Sequence, residues 1–227
     1  MPAPYVIFEG NDGTGKSTLM KGVADRLKLT FPTFDPLLTQ HPGSTPLGRH
    51  LRQLVKYPHQ IAADIVIDDL SRQVLYMVDT ISYVRTLLEP SLAAGKPVFA
   101  DRSSFISAIV YGMADGLRLD DIGRILELIT PPKADRLYVL QCPNCANRER
   151  IGARHDLDHY DLKPVEFSHK IDRIYSSLLT TSAAQTMLVS RCVAVSDVVY
   201  VDAGRPLQEV IDIVTADAAD MIRDRYH

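Results

Sequence analysis

A lysine, a serine and three glycines crowd one stretch near the start of the chain, Tyr5-Val6-Ile7-Phe8-Glu9-Gly10-Asn11-Asp12-Gly13-Thr14-Gly15-Lys16-Ser17-Thr18. Gly10, Gly15, Lys16 and Ser17 fit the spacing G-x-x-x-x-G-K-[ST] of a phosphate-binding loop. Glycines let the backbone curl so that successive N–H groups point inward at phosphate oxygens. The helix that follows begins at the same place, so its positive dipole end faces the same anion. In this arrangement Lys16 reaches the β- and γ-phosphates and the Ser17 hydroxyl joins Mg²⁺.

Two further groups of residues suit the same chemistry. Asp101 directly follows the apolar run Val98-Phe99-Ala100. A carboxylate at the end of a buried strand holds Mg²⁺ through water, opposite the loop. Arg102 stands next to it, and a planar guanidinium suits an acceptor phosphate by bidentate contact. Arg148, Arg150 and Arg154 lie within a short polar segment. Phosphoryl transfer spreads negative charge over the moving group, and arginines that close over it stabilise that charge and exclude water.

The elements around these residues follow from pattern. Apolar runs at Leu37–Thr39, Val98–Ala100, Arg136–Gln141 and Val198–Val201 read as strands beside the one entering the loop. Helices are expected over Lys16–Leu29, Leu47–Lys56, Ser104–Met113, Asp120–Ile129 and Pro206–Arg225, with Asn144–Gly152 also helical. Long helices are expected from Ile61 to about Ala94 and from Pro164 to about Met187. The stretch from Arg154 to Lys163 reads as too hydrophilic to be core. Strands alternating with helices make an α/β fold, a parallel sheet covered on both faces. Ligands in such sheets gather at the carboxyl ends of the strands. One domain over residues 1–227 is expected, with a lid segment at 146–163.

Composition excludes several classes. The 227 residues carry a net charge of −3, which argues against a general basic surface for nucleic acid. No basic, aromatic-lined groove for a DNA end is legible either. No signal peptide and no run of about 18 apolar residues is seen, so a soluble cytoplasmic protein is expected. Three cysteines fit a reducing compartment. Cys142 and Cys145 form a C-x-x-C, but a zinc site needs two more ligands, so they read as incidental thiols.

Taken together and in order, the motifs resemble the thymidylate kinase family nearly end to end. Phe8 to Thr18 is similar to F-E-G-x-D-G-x-G-K-S-T. Pro42-Gly43-Ser44-Thr45-Pro46-Leu47-Gly48 resembles P-G-G-T-x-L-G, and Asp101-Arg102 sits where the family has D-R. Asp158-His159-Tyr160-Asp161 resembles D-R-x-E after the lid arginines. Glu166-Phe167, Lys170-Ile171 and Tyr175 fit the helix after it, and Val201-Asp202-Ala203 with Pro206-Leu207 fits the last strand and helix. The resemblance implies the three-layer P-loop fold with a five-stranded parallel sheet, Mg-ATP as donor, a deoxypyrimidine 5′-monophosphate as acceptor and a homodimer. It places the donor on Gly10, Asn11, Asp12, Gly13, Thr14, Gly15, Lys16, Ser17 and Thr18, and the metal on Ser17 and Asp101. It places the acceptor on Asp12, Gln40, Pro42, Tyr76, Thr80, Arg102 and Ser107, with Tyr76 stacking on the base. Lys16, Asp12 and Arg102 are then catalytic. Because Gly13 is not an arginine, the catalytic arginine comes from the lid, as Arg150 or Arg154.

The departures cluster at the acceptor end. Thr80 stands where the family has a base-contacting arginine, and Gln40 where an arginine often precedes the P-G-G loop. Ser103 replaces a Tyr or His after D-R. The S-x-x-A-Y-Q motif is blurred into Ser107-Ala108-Ile109-Val110-Tyr111-Gly112. Three readings stay open: a kinase for dTMP, a kinase for a 5-modified dUMP such as 5-hydroxymethyl-dUMP, and a nucleotide-binding regulator without turnover.

Overall fold

The computed structural model describes residues 3–142 and 157–226. Its strands are β1 Tyr5–Gly10, β2 Leu37–Gln40, β3 Val98–Asp101, β4 Arg136–Gln141 and β5 Val198–Asp202. All neighbours pair in parallel, in the order β2-β3-β1-β4-β5. The helices among the described residues are α1 Lys16–Thr30, α2 Pro46–Lys56, α3 Pro58–Ile61, α4 Asp69–Tyr83, α5 Glu89–Ala93, α6 Ser104–Asp115, α7 Leu119–Leu126, α8 Val165–Ser176, α9 Ala183–Ser190 and α10 Leu207–Tyr226.

Residues on a strand alternate between faces, and the two cores show it. On β1, Val6 and Phe8 face the layer built from α1 and α10, together with Phe99, Tyr138 and Leu140. Tyr5 and Ile7 face the layer that holds α4 and α6 to α9, together with Val98, Ala100, Leu137 and Val139. The central strand is buried throughout, as a sheet covered on both sides requires. The same alternation assigns Glu9 to the Tyr5 and Ile7 face, and that face carries its hydrogen-bond partners.

Two long helices expected from the sequence are broken in the structure. The first starts at Asp69, where Asp68 caps it by accepting from the Ser71 N–H at 3.0 Å. Its last turn widens into a π-helical turn over Val84–Leu88 before α5. The second is two helices, α8 and α9. Between them Ser177, Thr180 and Thr181 donate their hydroxyls to backbone carbonyls, which competes with helix continuation. Ser182 then caps α9 by accepting from the Gln185 N–H. The helix expected at Asn144–Gly152 lies outside the described residues.

Candidate active site

The carboxyl ends of β1, β3 and β2 meet in register, with Phe8 and Gln40 both opposite Asp101. The loop after β1 turns on left-handed glycines, and Gly15 (φ 88°) caps α1. A Cβ at Gly15 would meet nothing within 4 Å, so the space in front of the loop is open. Lys16 is buried and folds back over the loop, donating to the carbonyls of Gly10 (3.1 Å) and Asn11 (2.8 Å). Burial first, then the nearby Arg102, lowers its pKa to about 8, against the pull of Asp12, Asp101 and Glu9. The Ser17 hydroxyl donates to Asp101 Oδ2.

Arg102 follows Asp101 with φ 76°, the one non-glycine positive φ among the described residues. Such a conformation costs about 1–3 kcal/mol and persists where its surroundings enforce it. Here the twist sends consecutive side chains to different partners. Asp101 meets Ser17, while Arg102 Nη2 donates to Asp12 Oδ1 at 2.7 Å. Arg102 Nη1 donates to the Tyr175 hydroxyl at 3.3 Å and lies 3.6 Å from Glu9 Oε2. Its guanidinium also sits over the Tyr111 ring at 5.2 Å, within cation–π range. Burial pushes the Asp12 carboxyl up, but Arg102, Lys56 and Lys16 outweigh it and hold the pKa well below the usual value.

Glu9 ties this group to the sheet. It is fully buried. It accepts from the Ser103 N–H (2.7 Å), the Ser107 hydroxyl (3.0 Å) and the Tyr175 hydroxyl (2.7 Å). Burial raises its pKa, against Arg102, Tyr175, Ser103 and Lys16, which favour the charged form. A buried carboxylate is tolerable only with such partners.

Two adjoining cavities open from these residues. A polar cleft of about 310 Å³ runs along Gly13, Gly15, Lys16, Ser17 and Thr18 and is walled by Gln40, Arg52, Asp101 and Asp158. A tighter cavity of about 40 Å³ lies behind it, between Pro42, Gln73, Tyr76, Ser107, Tyr111 and Tyr160. Asp12, His41, Lys56 and Arg102 line both. The two cavities therefore adjoin, and these four residues form the waist between them.

Residues 8–198 match the family described as Thymidylate kinase. The chain belongs to the thymidylate kinase family. It is 35% identical to the thymidylate kinase of Synechococcus sp. (strain RCC307) over 69% of this chain and 74% of that one. It is 28% identical to the thymidylate kinase of Campylobacter concisus (strain 13826) over 82% and 89%. To the probable thymidylate kinase of Thermococcus kodakarensis it is 31% identical over 77% and 83%. The family consists of nucleoside monophosphate kinases that use Mg-ATP as phosphate donor.

The thymidylate kinase fold brings most of the expected site residues together. Asp12, Gly13, Gly15 to Thr18, Gln40, Asp101 and Arg102 share the cleft, and Pro42, Tyr76 and Ser107 share the cavity, while Gly10 and Thr14 line neither. The His41–Pro42 peptide that connects them is cis. Two residues stand differently. The Asn11 side chain points away from the cleft and donates to Ser168 and Asp172 of α8. Thr80 is fully buried and bonds back to the Tyr76 carbonyl at 2.8 Å, and it does not line the cavity. Arg148, Arg150, Arg154 and Cys145 lie outside the described residues.

In the polar stretch before α8, one residue departs from its sequence reading. Asp158 is buried, paired with Lys56, and accepts from the Tyr160 N–H at 2.8 Å and the Asp161 N–H at 3.1 Å. The His159 N–H donates to the Lys56 carbonyl at 2.9 Å. These bonds tie the segment to α2.

The site contains residues that motif reasoning missed. Glu9 stood in the motif unassigned; its parity with Tyr5 and Ile7 on a central strand was the available signal. Lys56, Gln73 and Tyr160 carried none, because they reach the cavity from α2, α4 and the turn before α8.

The donor set fits a magnesium nucleotide. An ammonium held by loop carbonyls, an open space before Gly15, and a hydroxyl facing a carboxylate offer the donors and acceptors such a group needs.

Proposed function

We propose that this chain phosphorylates a deoxypyrimidine 5′-monophosphate, dTMP foremost, to its diphosphate with Mg-ATP. The observation that carries the reading is that the cleft and the cavity adjoin at Asp12, His41, Lys56 and Arg102. An acceptor whose base fills the cavity has its phosphate at that waist, in line with a donor on the loop.

In this reading the backbone of Gly13 to Thr18 and the Lys16 ammonium hold the donor phosphates. Ser17 and Asp101 would hold Mg²⁺, which when bound would supply positive charge against those phosphates. Arg102 holds the acceptor phosphate, positioned by Glu9 and Tyr175. An acceptor oxygen attacks the γ-phosphorus, the bond to the bridging oxygen breaks, and ADP leaves. No side chain forms a covalent bond, so the gain comes from positioning and charge. Arg150 and Arg154, in a lid at 146–163, supply the remaining positive charge. A second cleft along Thr14, Thr18, Ala203, Arg205 and Leu207 adjoins the loop and suits the donor base.

The assembly we infer is a homodimer. Leu70, Val74 and Val78 lie at i, i+4 and i+8 on α4 and are 47%, 42% and 40% exposed. That apolar stripe on a central helix suits a second copy. Among the described residues no helix is long and apolar enough to cross a membrane.

A panel of dTMP, dUMP, 5-hydroxymethyl-dUMP and dCMP, read by ADP formation at fixed Mg²⁺, tests the activity. We expect turnover with dTMP. Absence of ADP with every acceptor sinks the reading and leaves a nucleotide-binding regulator. A 5-modified dUMP as the preferred acceptor is favoured by one observation: Thr80, in the arginine position of the family motif, supplies no donor to the cavity.

A further inference from the structure

The base cavity holds an amide with nothing to bind. Gln73 on α4 is 2% exposed, and among the described residues neither its Nε2 nor its Oε1 has a hydrogen-bond partner. A buried polar atom left unpaired is destabilising, and here a donor and an acceptor are both unpaired. The side chain lines the cavity with Tyr76, Ser107, Tyr111 and Tyr160. Gly112 on α6 packs close beside it. A Cβ there would lie 3.8 Å from the Gln73 Cδ and 2.9 Å from Ile122.

We infer that Gln73 reads the Watson–Crick edge of the acceptor base. This rests on the reading of the cavity as the acceptor base site. A carboxamide presents one donor and one acceptor side by side. A thymine or uracil edge offers the matching pair, an N3–H donor beside an O4 acceptor. A cytosine edge offers the reverse, an N3 acceptor beside an N4 donor, and rotation of the amide by half a turn meets it. A guanidinium, having donors only, matches no such mixed pair. Gln73 therefore takes the base-reading role that Thr80 cannot fill. It makes the acceptor class a pyrimidine monophosphate whose edge carries one donor and one acceptor, with dCMP admitted beside dTMP.

Two variants of the full-length chain test this. In Gln73→Leu the KM for dTMP should rise roughly tenfold to a hundredfold, while kcat and the KM for ATP stay near wild type. In Gln73→Glu an ionised carboxylate accepts but cannot donate. Each edge then keeps one bond and meets one repulsion, so the KM for dTMP and the KM for dCMP should rise together, about tenfold or more, with the KM for ATP near wild type. If Gln73 only fills space, Gln73→Leu keeps the wild-type KM for dTMP and raises Tm by removing an unpaired amide. That result overturns the inference. If the wild-type chain transfers phosphate to no pyrimidine monophosphate, the base-site reading falls and takes this inference with it.

Discussion

The two ends of the active-site cleft are built by different means. At the phosphate end the groups come mainly from one short segment, Gly10 to Thr18, and much of the work falls to main-chain N–H groups. At the base end Pro42, Gln73, Tyr76, Ser107, Tyr111 and Tyr160 converge from α4, α6 and two loops. The first end is a local geometry that glycine positions dictate. The second is a tertiary arrangement of side chains from distant segments. The phosphate end therefore rests on backbone geometry, and the base end on which side chains meet.

Breaking the phosphate end should have the largest effect. Lys16→Ala should lower kcat by about a hundredfold or more, measured as ADP formation with saturating dTMP. The stabilisation of the chain by dTMP in a thermal melt should be unchanged. Near-normal turnover would separate the loop from the chemistry. Arg102→Ala, at the waist, should cost about a hundredfold or more in kcat/KM for the acceptor. Its KM for ATP should move little, because its partners Asp12, Glu9 and Tyr175 lie on the acceptor side.

Glu9→Gln sharpens the comparison, since Glu9 touches neither cavity and acts only by positioning. It keeps the shape but loses the charge facing Arg102. We expect roughly a tenfold rise in the KM for the acceptor, with the KM for ATP conserved. An equal rise in both would mean that Glu9 supports the whole sheet edge rather than the acceptor end.

The smallest effect is a pH dependence confined to the phosphate end. Lys16 in the free chain loses its proton as pH rises through about 8. Donor phosphates bind the protonated form, so kcat/KM for ATP should fall above that pH, by at most about tenfold per unit. Below it the value should be flat as far as Lys16 is concerned. A profile that stays flat to pH 10 would show that the ammonium is not the titrating donor group.

Reading such a site from sequence succeeds where the chemistry is carried by neighbours in the chain. The loop, the pairing of Asp101 with Ser17 and the placement of Arg102 all follow from residues at strand ends. The parallel sheet follows from the alternation of apolar runs with helical patterns. The helix breaks at Asp68 and at Ser177 to Ser182 were harder to see. There, side-chain caps and hydroxyl-to-carbonyl bonds win over apolar periodicity. Thr80 was a sound place to look for specificity, yet its hydroxyl turns back to the Tyr76 carbonyl. Gln73 lies seven residues earlier on the same helix, and no motif marks it.

The sequence by itself determined the fold class, the phosphate-binding loop and the family. Each rests on local rules: period two, helical period, and glycines where the backbone must turn. Only the tertiary structure decided that Glu9 is the buried anchor of Arg102, that Asp158 is core, and that Gln73 carries an unpaired amide into the base cavity. Those facts depend on which side chains from distant segments share one low-dielectric space. Desolvation and hydrogen-bond pairing act on that space and leave no pattern along the chain.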